Sequence, residues 1–247
     1  MLVTGGATAV GRALAIDLAA HGASVGVIDV DDAHGDETVA HIADAGGQAF
    51  YRHADVRVES EVAAAVDEVV QRFGRLDGAV NNAGTEAPMA LLDADVATFQ
   101  EVLDVNLIGV FRCLKHEALA MRRQGDGGAI VNVSSVTSGL TAAVGNGLYG
   151  TSKGGVDALT KSAGIELAAE GISVNSLAFI AADVPGGMFQ RFFEHVDATP
   201  EQALASIPAR RMLPMPELAT AVRFLLDPAA RYMVATTLVM DGGFSSQ

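Results

Sequence analysis

The sequence predicts a doubly wound α/β fold, a seven-stranded parallel sheet with helices on both faces. Three observations predict it. Short β-rich runs alternate with longer stretches of helical period along the whole chain. The first run passes directly into a turn of small residues, and the second ends in a cluster of acids. Taken in order, the strand candidates are "LVT", "SVGVID", "QAFYRH", "GAVNN", "AIVNVS", "SVNSLAF" and "TTLVMD". Helical segments are expected at 10–21, 58–73, 95–123, 147–170 and 216–227, the first with Val10, Leu14, Ala15 and Leu18 on one face. Right-handed crossovers between parallel strands put helices on both faces and open ligand sites at the carboxyl ends of the strands. The alternation lapses only at 181–210, a long excursion that reads as a lid within one domain spanning 1–247.

Composition narrows the partners. The 247 residues are 50% hydrophobic, enough for one sizeable core. No apolar run approaches the roughly 20 residues that cross a bilayer, and no basic region precedes an apolar stretch at the N-terminus. A cytoplasmic protein without a membrane partner is expected. A formal charge of -14 argues against nucleic acid and anionic lipid, which are met by clustered Lys and Arg, so the expected partner is a small molecule. The single cysteine, Cys113, lies in an apolar-periodic stretch and reads as a buried thiol. The six histidines show no paired ligand spacing, and no metal is expected.

The turn "TGGATAVG" runs into a helix whose N-terminal N–H groups and dipole suit a pyrophosphate, with Thr4, Gly5, Ala9, Val10 and Gly11 as candidate contacts. A glycine-rich turn that merely starts a helix has the same appearance. Asp29, ending the second strand, stands where a dinucleotide fold places the acid that accepts hydrogen bonds from the adenosine ribose. The other reading of Asp29, Asp31 and Asp32 is a helix-capping cluster. A 2'-phosphate would face these acids with only Arg12 nearby, so NAD(H) is favoured over NADP(H). Asp55 and Val56 after the third strand, and Asn82, Ala83 and Gly84 of "NNAG" after the fourth, complete the candidate cofactor contacts, although each also fits a turn.

Tyr149 and Lys153 stand four residues apart, so on a helix they share a face. A nearby ammonium favours the phenolate and is expected to pull the tyrosine below its ordinary value near pH ~10. A lone pair of this kind more often packs and snorkels. Its context is not lone. "TGGATAVG", Asp29, Asp55, "NNAG", "DVNLIGVF", "GGAIVNVSS", "YGTSK", "VNSLAF" and "VMDGG" follow one another in an order that resembles the short-chain dehydrogenase/reductase family across essentially the whole chain.

The resemblance implies a Rossmann-type fold, hydride exchange between a nicotinamide cofactor and an alcohol or ketone, and a homotetramer or homodimer. By matching positions it implies that Tyr149 exchanges a proton with the substrate oxygen and Lys153 binds the nicotinamide ribose. Ser135 would polarise the carbonyl, and Asn106 would hold a water in a relay behind Lys153. The carboxamide-contacting threonine of the family falls on Val184 without a gap, or on "VPG" after a short insertion.

Several positions depart from the family. Ala9 replaces a glycine of the phosphate turn, Phe179 and Ile180 replace Pro-Gly, and Ala235 replaces a glycine before the last strand, read as a matter of packing. Met1 lies almost at the turn, leaving a very short first strand. Ser135 lies one position further from Tyr149 than is usual, with Ser138 the weaker alternative beyond the strand end. Phe179 and Ile180 either reshape the nicotinamide pocket or obstruct it, and obstruction would leave a non-catalytic dinucleotide-binding protein. Met188, Phe189, Phe192 and Phe193, with Val184 and Met215, suggest an apolar wall and an uncharged, apolar or cyclic secondary alcohol or ketone. The three phenylalanines also fit the buried stripe of a short helix. Arg191, Arg210 and Arg211 give no clear anchor for a phosphorylated or CoA-borne substrate.

Overall fold

The computed structural model describes residues 1–189 and 199–247, so Arg191, Phe192 and Phe193 lie outside the described residues. Seven parallel strands form the main sheet: β1 (Leu2–Thr4), β2 (Ser24–Asp29), β3 (Gln48–His53), β4 (Gly78–Asn81), β5 (Gly128–Val133), β6 (Ile172–Phe179) and β9 (Thr237–Met240). Their order is β3-β2-β1-β4-β5-β6-β9. Strands β4 and β5 are buried along their whole length, as strands covered on both faces must be. The remaining two strands, β7 (Ala182–Asp183) and β8 (Leu213–Pro214), pair only with each other inside the 181–214 excursion.

Helices α1 (Ala9–Ala20) and α8 (Met215–Leu226) cover one face, where Leu14, Leu18, Leu218 and Val222 pack on Val3 and Val27. On the other face, α3 (Glu59–Phe73), α5 (Val110–Gln124) and α6 (Gly147–Leu167) bring Val66, Val69, Met121 and Leu167 onto Ile28, Ile130 and Val174. The ends of α3 and α5 follow from local chemistry. Each stops at a glycine with positive φ, Gly74 and Gly125, and each carries arginine in its last turn beside the negative end of the helix dipole. Cys113 is buried inside α5, and burial pushes its thiol pKa up.

One expectation is corrected. The helix expected at 95–123 is α4 (Val96–Leu103) and α5, joined through a π-helical turn at Asp104–Gly109. A further helix, α2 (Asp32–Asp44), follows β2, capped by Asp31, which accepts a hydrogen bond from the His34 N–H at 3.2 Å. In the 181–214 excursion a short α7 (Pro200–Ala205) is also present.

A polar chain crosses the core beneath the sheet. The Asn81 amide donates to Glu117 Oε2 (3.0 Å) and Asn132 Oδ1 (2.9 Å), and the Asn132 amide donates to Thr160 Oγ1 (2.9 Å). Burial pushes the Glu117 pKa up from 4.5 to about 8, against the Asn81 hydrogen bond that favours the anion. Between those values the folded chain holds a proton that the unfolded chain releases. Stability is therefore expected to fall as pH rises from about 4.5 to about 8, by at most about 1.4 kcal/mol per pH unit from this group. Urea unfolding at pH 5.5, 7 and 8.5 checks this: Glu117→Gln should flatten the slope, and an unchanged slope would place the titration elsewhere.

Candidate active site

The strand order reverses between β1 and β4, so the loops leaving their carboxyl ends separate and open a crevice. The crevice widens into a cavity of about 620 Å³. At one end it is walled by Gly5, Ala9, Val10, Asp29, Asp55 and Val56, and at the other by Ser135, Tyr149, Lys153, Val184 and Met188, with Asn82, Ala83 and Gly84 also in its wall. Thr4, Gly11 and Asn106 stand behind this wall rather than in it. The Thr4 hydroxyl accepts the N–H groups of Asn82 and Ala83, both at 3.0 Å, and the Asn82 amide returns to the carbonyls of Thr4 (3.2 Å) and Gly5 (3.1 Å). A methyl group on Gly11 would fall 1.9 Å from the Gly5 oxygen, so this position admits only glycine.

At the first end, the Asp29 carboxylate accepts the N–H groups of Ala7 (3.0 Å) and Val30 (2.8 Å), which fixes it beside the small-residue turn. Asp31 caps α2, and Asp32 accepts the Tyr51 hydroxyl at 2.7 Å. Only Asp29 of the three acids lines the cavity. A second arginine escaped the sequence reading: Arg57 is also in the wall, held on both oxygens of Asp55 at 2.6–3.0 Å. Arg12 reaches Glu37 at 3.2 Å. Ala9 adopts a left-handed backbone conformation, with φ +45. That conformation costs an L-residue about 1–2 kcal/mol.

At the other end, α6 presents Tyr149 and Lys153 on one face, with Nζ 5.6 Å from the centre of the phenol ring. Lys153 is buried and donates to the Val133 carbonyl at 2.7 Å. Burial lowers its pKa from 10.5 to about 8. The expectation for the tyrosine is overturned. Desolvation, reinforced by the negative charge of Glu86, holds the Tyr149 pKa above its ordinary value, while a hydrogen bond with Ser135 acts the other way. Ser135 also interacts with the Thr137 hydroxyl at 3.0 Å, whereas Ser138 donates to Asp157. Ser135, not Ser138, is therefore the serine brought to the phenol.

Asn106 lies in the π turn, a helix irregularity frequent at functional sites. Its side chain is fully buried, accepts the Thr85 N–H (2.8 Å), and donates to the Thr85 carbonyl (2.8 Å) and Ser152 Oγ (3.0 Å). Phe179 and Ile180 line the cavity without dividing it. Val184 is buried against the core and reaches the wall with a methyl-bearing side chain in place of a hydroxyl-bearing one, and Gly187 of the neighbouring "VPGG" lines the wall as well. Glu86, two residues after "NNAG", also lines the cavity; its position just past a carboxyl strand end is the signal that could have marked it.

A glycine-floored turn leading into a helix N-terminus, an acid at the next strand end, and a tyrosine, lysine and serine meeting in one cavity define a nicotinamide-dependent oxidoreductase. Comparison with known proteins places it more closely. A family model described as Enoyl-(Acyl carrier protein) reductase matches residues 5–245. The chain is 38% identical over 248 residues to 2,5-dichloro-2,5-cyclohexadiene-1,4-diol dehydrogenase of Sphingobium indicum, covering 100% of this chain and 96% of that one. It is also 38% identical over 250 residues to cis-4-hydroxycyclohexanecarboxylate dehydrogenase of Sinomonas cyclohexanicum, covering 99% and 96%. Among solved structures, levodione reductase superposes with a TM-score of 0.93 at 34% identity, covering 99% of this chain and 96% of that one. The chain belongs to the short-chain dehydrogenase/reductase family and is an oxidoreductase of CH–OH groups.

Relieving the strain at Ala9 should be measurable. Ala9→Gly is expected to gain the left-handed penalty, less about 0.4–1 kcal/mol of added unfolded-state entropy. Thermal melts should move up by about 2–4 °C per kcal/mol recovered. NADH affinity, measured in parallel, should rise several-fold as the methyl group leaves the turn; an unchanged melt and affinity would mean that the turn has already absorbed it.

Proposed function

We propose that this enzyme interconverts an uncharged, apolar or cyclic secondary alcohol and its ketone, using NAD(H) in preference to NADP(H). The convergence of Ser135, Tyr149 and Lys153 on one cavity that also reaches Asp29 is the observation that carries this reading. The nicotinamide supplies or accepts the hydride when bound; the protein's own groups handle the proton and the charge. In reduction, negative charge develops on the carbonyl oxygen, and the hydroxyls of Ser135 and Tyr149 donate to that oxygen. Tyr149 then gives up its proton, and in oxidation it takes the proton from the alcohol. Lys153 holds the nicotinamide ribose and offsets the phenolate charge as it forms, with Asn106 behind it serving the water relay. Gly5, Ala9 and Val10 would meet the pyrophosphate, with Thr4 and Gly11 shaping the turn, and Asp29 would take the ribose hydroxyls. Asp55, Val56, Asn82, Ala83 and Gly84 would contribute to holding the cofactor's adenine and ribose groups, and Val184 its carboxamide.

The preference for NAD(H) follows from Asp29, whose carboxylate repels a 2'-phosphate, and from the engagement of Arg12 and Arg57 by Glu37 and Asp55. The apolar wall of Phe179, Ile180, Val184 and Met188 favours a carbocyclic substrate, in keeping with the two ring alcohols named in the relatives' activities. An open cavity argues against the non-catalytic alternative. Exposed Ile108, Phe111, Leu119 and Ile165 on the outer side of α5, α6 and the π turn support a homotetramer, with 181–210 acting as the substrate lid in a single domain. No helix among the described residues is long and apolar enough to cross a membrane, and we place the enzyme in the cytoplasm.

Titration with NADH and NADPH, followed by initial rates with cyclohexanol and cyclohexanone, tests the proposal. NADH should bind at least about tenfold more tightly than NADPH. Tyr149→Phe should keep NADH binding and lose about 10²–10⁴-fold in kcat. NADH binding without turnover of any alcohol or ketone would favour the non-catalytic reading, binding of neither nucleotide would overturn both readings, and tighter NADPH binding would overturn the role of Asp29.

A further inference from the structure

Glu86 is an ionisable group at the reacting end of the cavity that the proton and hydride steps do not use. Its backbone is held firmly. The preceding residue, Thr85, is clamped in both directions by the buried Asn106 side chain, at 2.8 Å each way. Three residues later, the Met89 N–H donates to the Gly145 carbonyl at 3.0 Å, tying the segment to the loop that leads into α6. Glu86 is thus carried on a short span fixed at both ends, and it shares the cavity wall with Ser135, Asn146 and Tyr149. Its charge is felt at the phenol.

Much of the remaining wall at this end is apolar, and in such a pocket a few fixed polar groups set which molecule binds and how it is turned. A carboxyl oxygen accepts hydrogen bonds, and a hydroxyl group is an uncharged substrate partner that can donate to it. The reacting oxygen is already taken by Ser135 and Tyr149. We propose that Glu86 is a specificity residue that accepts a hydrogen bond from a second hydroxyl group of the substrate, so that cyclic diols are preferred to cyclic mono-alcohols. The inference rests on the reading of the chain as a cyclic-alcohol dehydrogenase and names the substrate class of that same site.

The test compares kcat/KM for cyclohexanol, the 1,2- and 1,4-cyclohexanediols and 4-aminocyclohexanol in the wild type, Glu86→Gln and Glu86→Leu. Removing the charge also eases Tyr149 deprotonation, but that acts on every substrate alike and cancels in the ratio of diol to mono-alcohol. The wild-type ratio for the best diol should be at least about tenfold, and Glu86→Leu should lower it by about tenfold. Glu86→Gln, which keeps one acceptor oxygen and nearly the same shape, should fall between them, and it carries the test if the leucine variant fails to bind NADH. A wild-type ratio near one, or a ratio that neither variant moves, overturns the inference while leaving the cyclic-alcohol reading in place. Preference for the amino-alcohol over every diol overturns it in favour of an ammonium partner. If the wild type oxidises none of these alcohols with either nucleotide, the cyclic-alcohol reading fails and the inference fails with it.

Discussion

Thr4 holds together the two halves of the sheet at the point where their loops part. Its hydroxyl oxygen accepts two successive N–H groups from the segment after β4, and the Asn82 amide returns two hydrogen bonds to the segment after β1. These loops cannot separate lower down, so they separate above, and the cavity begins there. Gly5, at φ +63, has no space for a side chain against Ala83, and Gly11 has none against Gly5. The same crosslink reaches the chemistry. It sets Gly84, which leads into Thr85, and Thr85 is the residue that Asn106 grips from the π turn. Cofactor turn, reacting end and the segment bearing Glu86 thus depend on one side-chain hydroxyl buried at the end of a three-residue strand.

The reacting end is governed by desolvation more than by attraction between its charges. Considered as an isolated pair, Lys153 and Tyr149 would each favour the ionised form of the other. With Lys153 buried and Tyr149 partly desolvated in the cavity wall, both shift toward their neutral forms, the ammonium downward and the phenol upward. The lysine is directed to the Val133 carbonyl rather than to the phenolic oxygen, which leaves the Ser135 hydrogen bond as the contribution that favours phenolate. A phenol kept protonated is suited to donating its proton to a developing alkoxide. Burial likewise makes Glu117, on α5 of the same sheet face, hold its proton near neutrality.

Most of the architecture was legible because its signals are local. Strands are short β-rich runs bounded by turn residues, and α1, α3 and α8 carry one-face apolar stripes within a residue or two of their observed limits. Tyr149, Lys153 and Ser135 are marked by the family resemblance and Asp29 by its strand end, and the fold brings all four to one cavity. The π turn was not legible, since Val102, Asn106 and Gly109 continue a buried face through a change in hydrogen-bond period that side-chain pattern does not record. Helix α2 was overlooked because it buries only Gly35, Thr38 and Ile42, leaving a sequence of predominantly polar appearance. The Arg57–Asp55 pair and the role of Glu86 arise from how loops fold back, and no periodicity encodes that. Nor does the tyrosine shift follow from the sequence, because it depends on desolvation in the cavity wall and on the charge of Glu86.

The alanines that replace family glycines bear on whether the pocket is built or decayed. Ala9 and Ala235 both remain in the left-handed region, at φ +45 and +57. Ala235 is pinned there by its N–H to the Val174 carbonyl (2.9 Å) and by backbone contact with Gly164, so its position is a matter of backbone conformation as well as packing. Each such alanine costs about 1–2 kcal/mol, a sizeable fraction of the roughly 5–15 kcal/mol by which a domain is stable. A strained residue persists only where its surroundings over-determine it. The phosphate turn and the entry to β9 therefore impose a left-handed conformation on residues that resist it. A turn free to relax would be expected to give up that geometry first, and with it the close approach of backbone to ligand. A left-handed Ala9 beside an open cavity holding Ser135, Tyr149 and Lys153 marks a site whose shape the surrounding fold enforces.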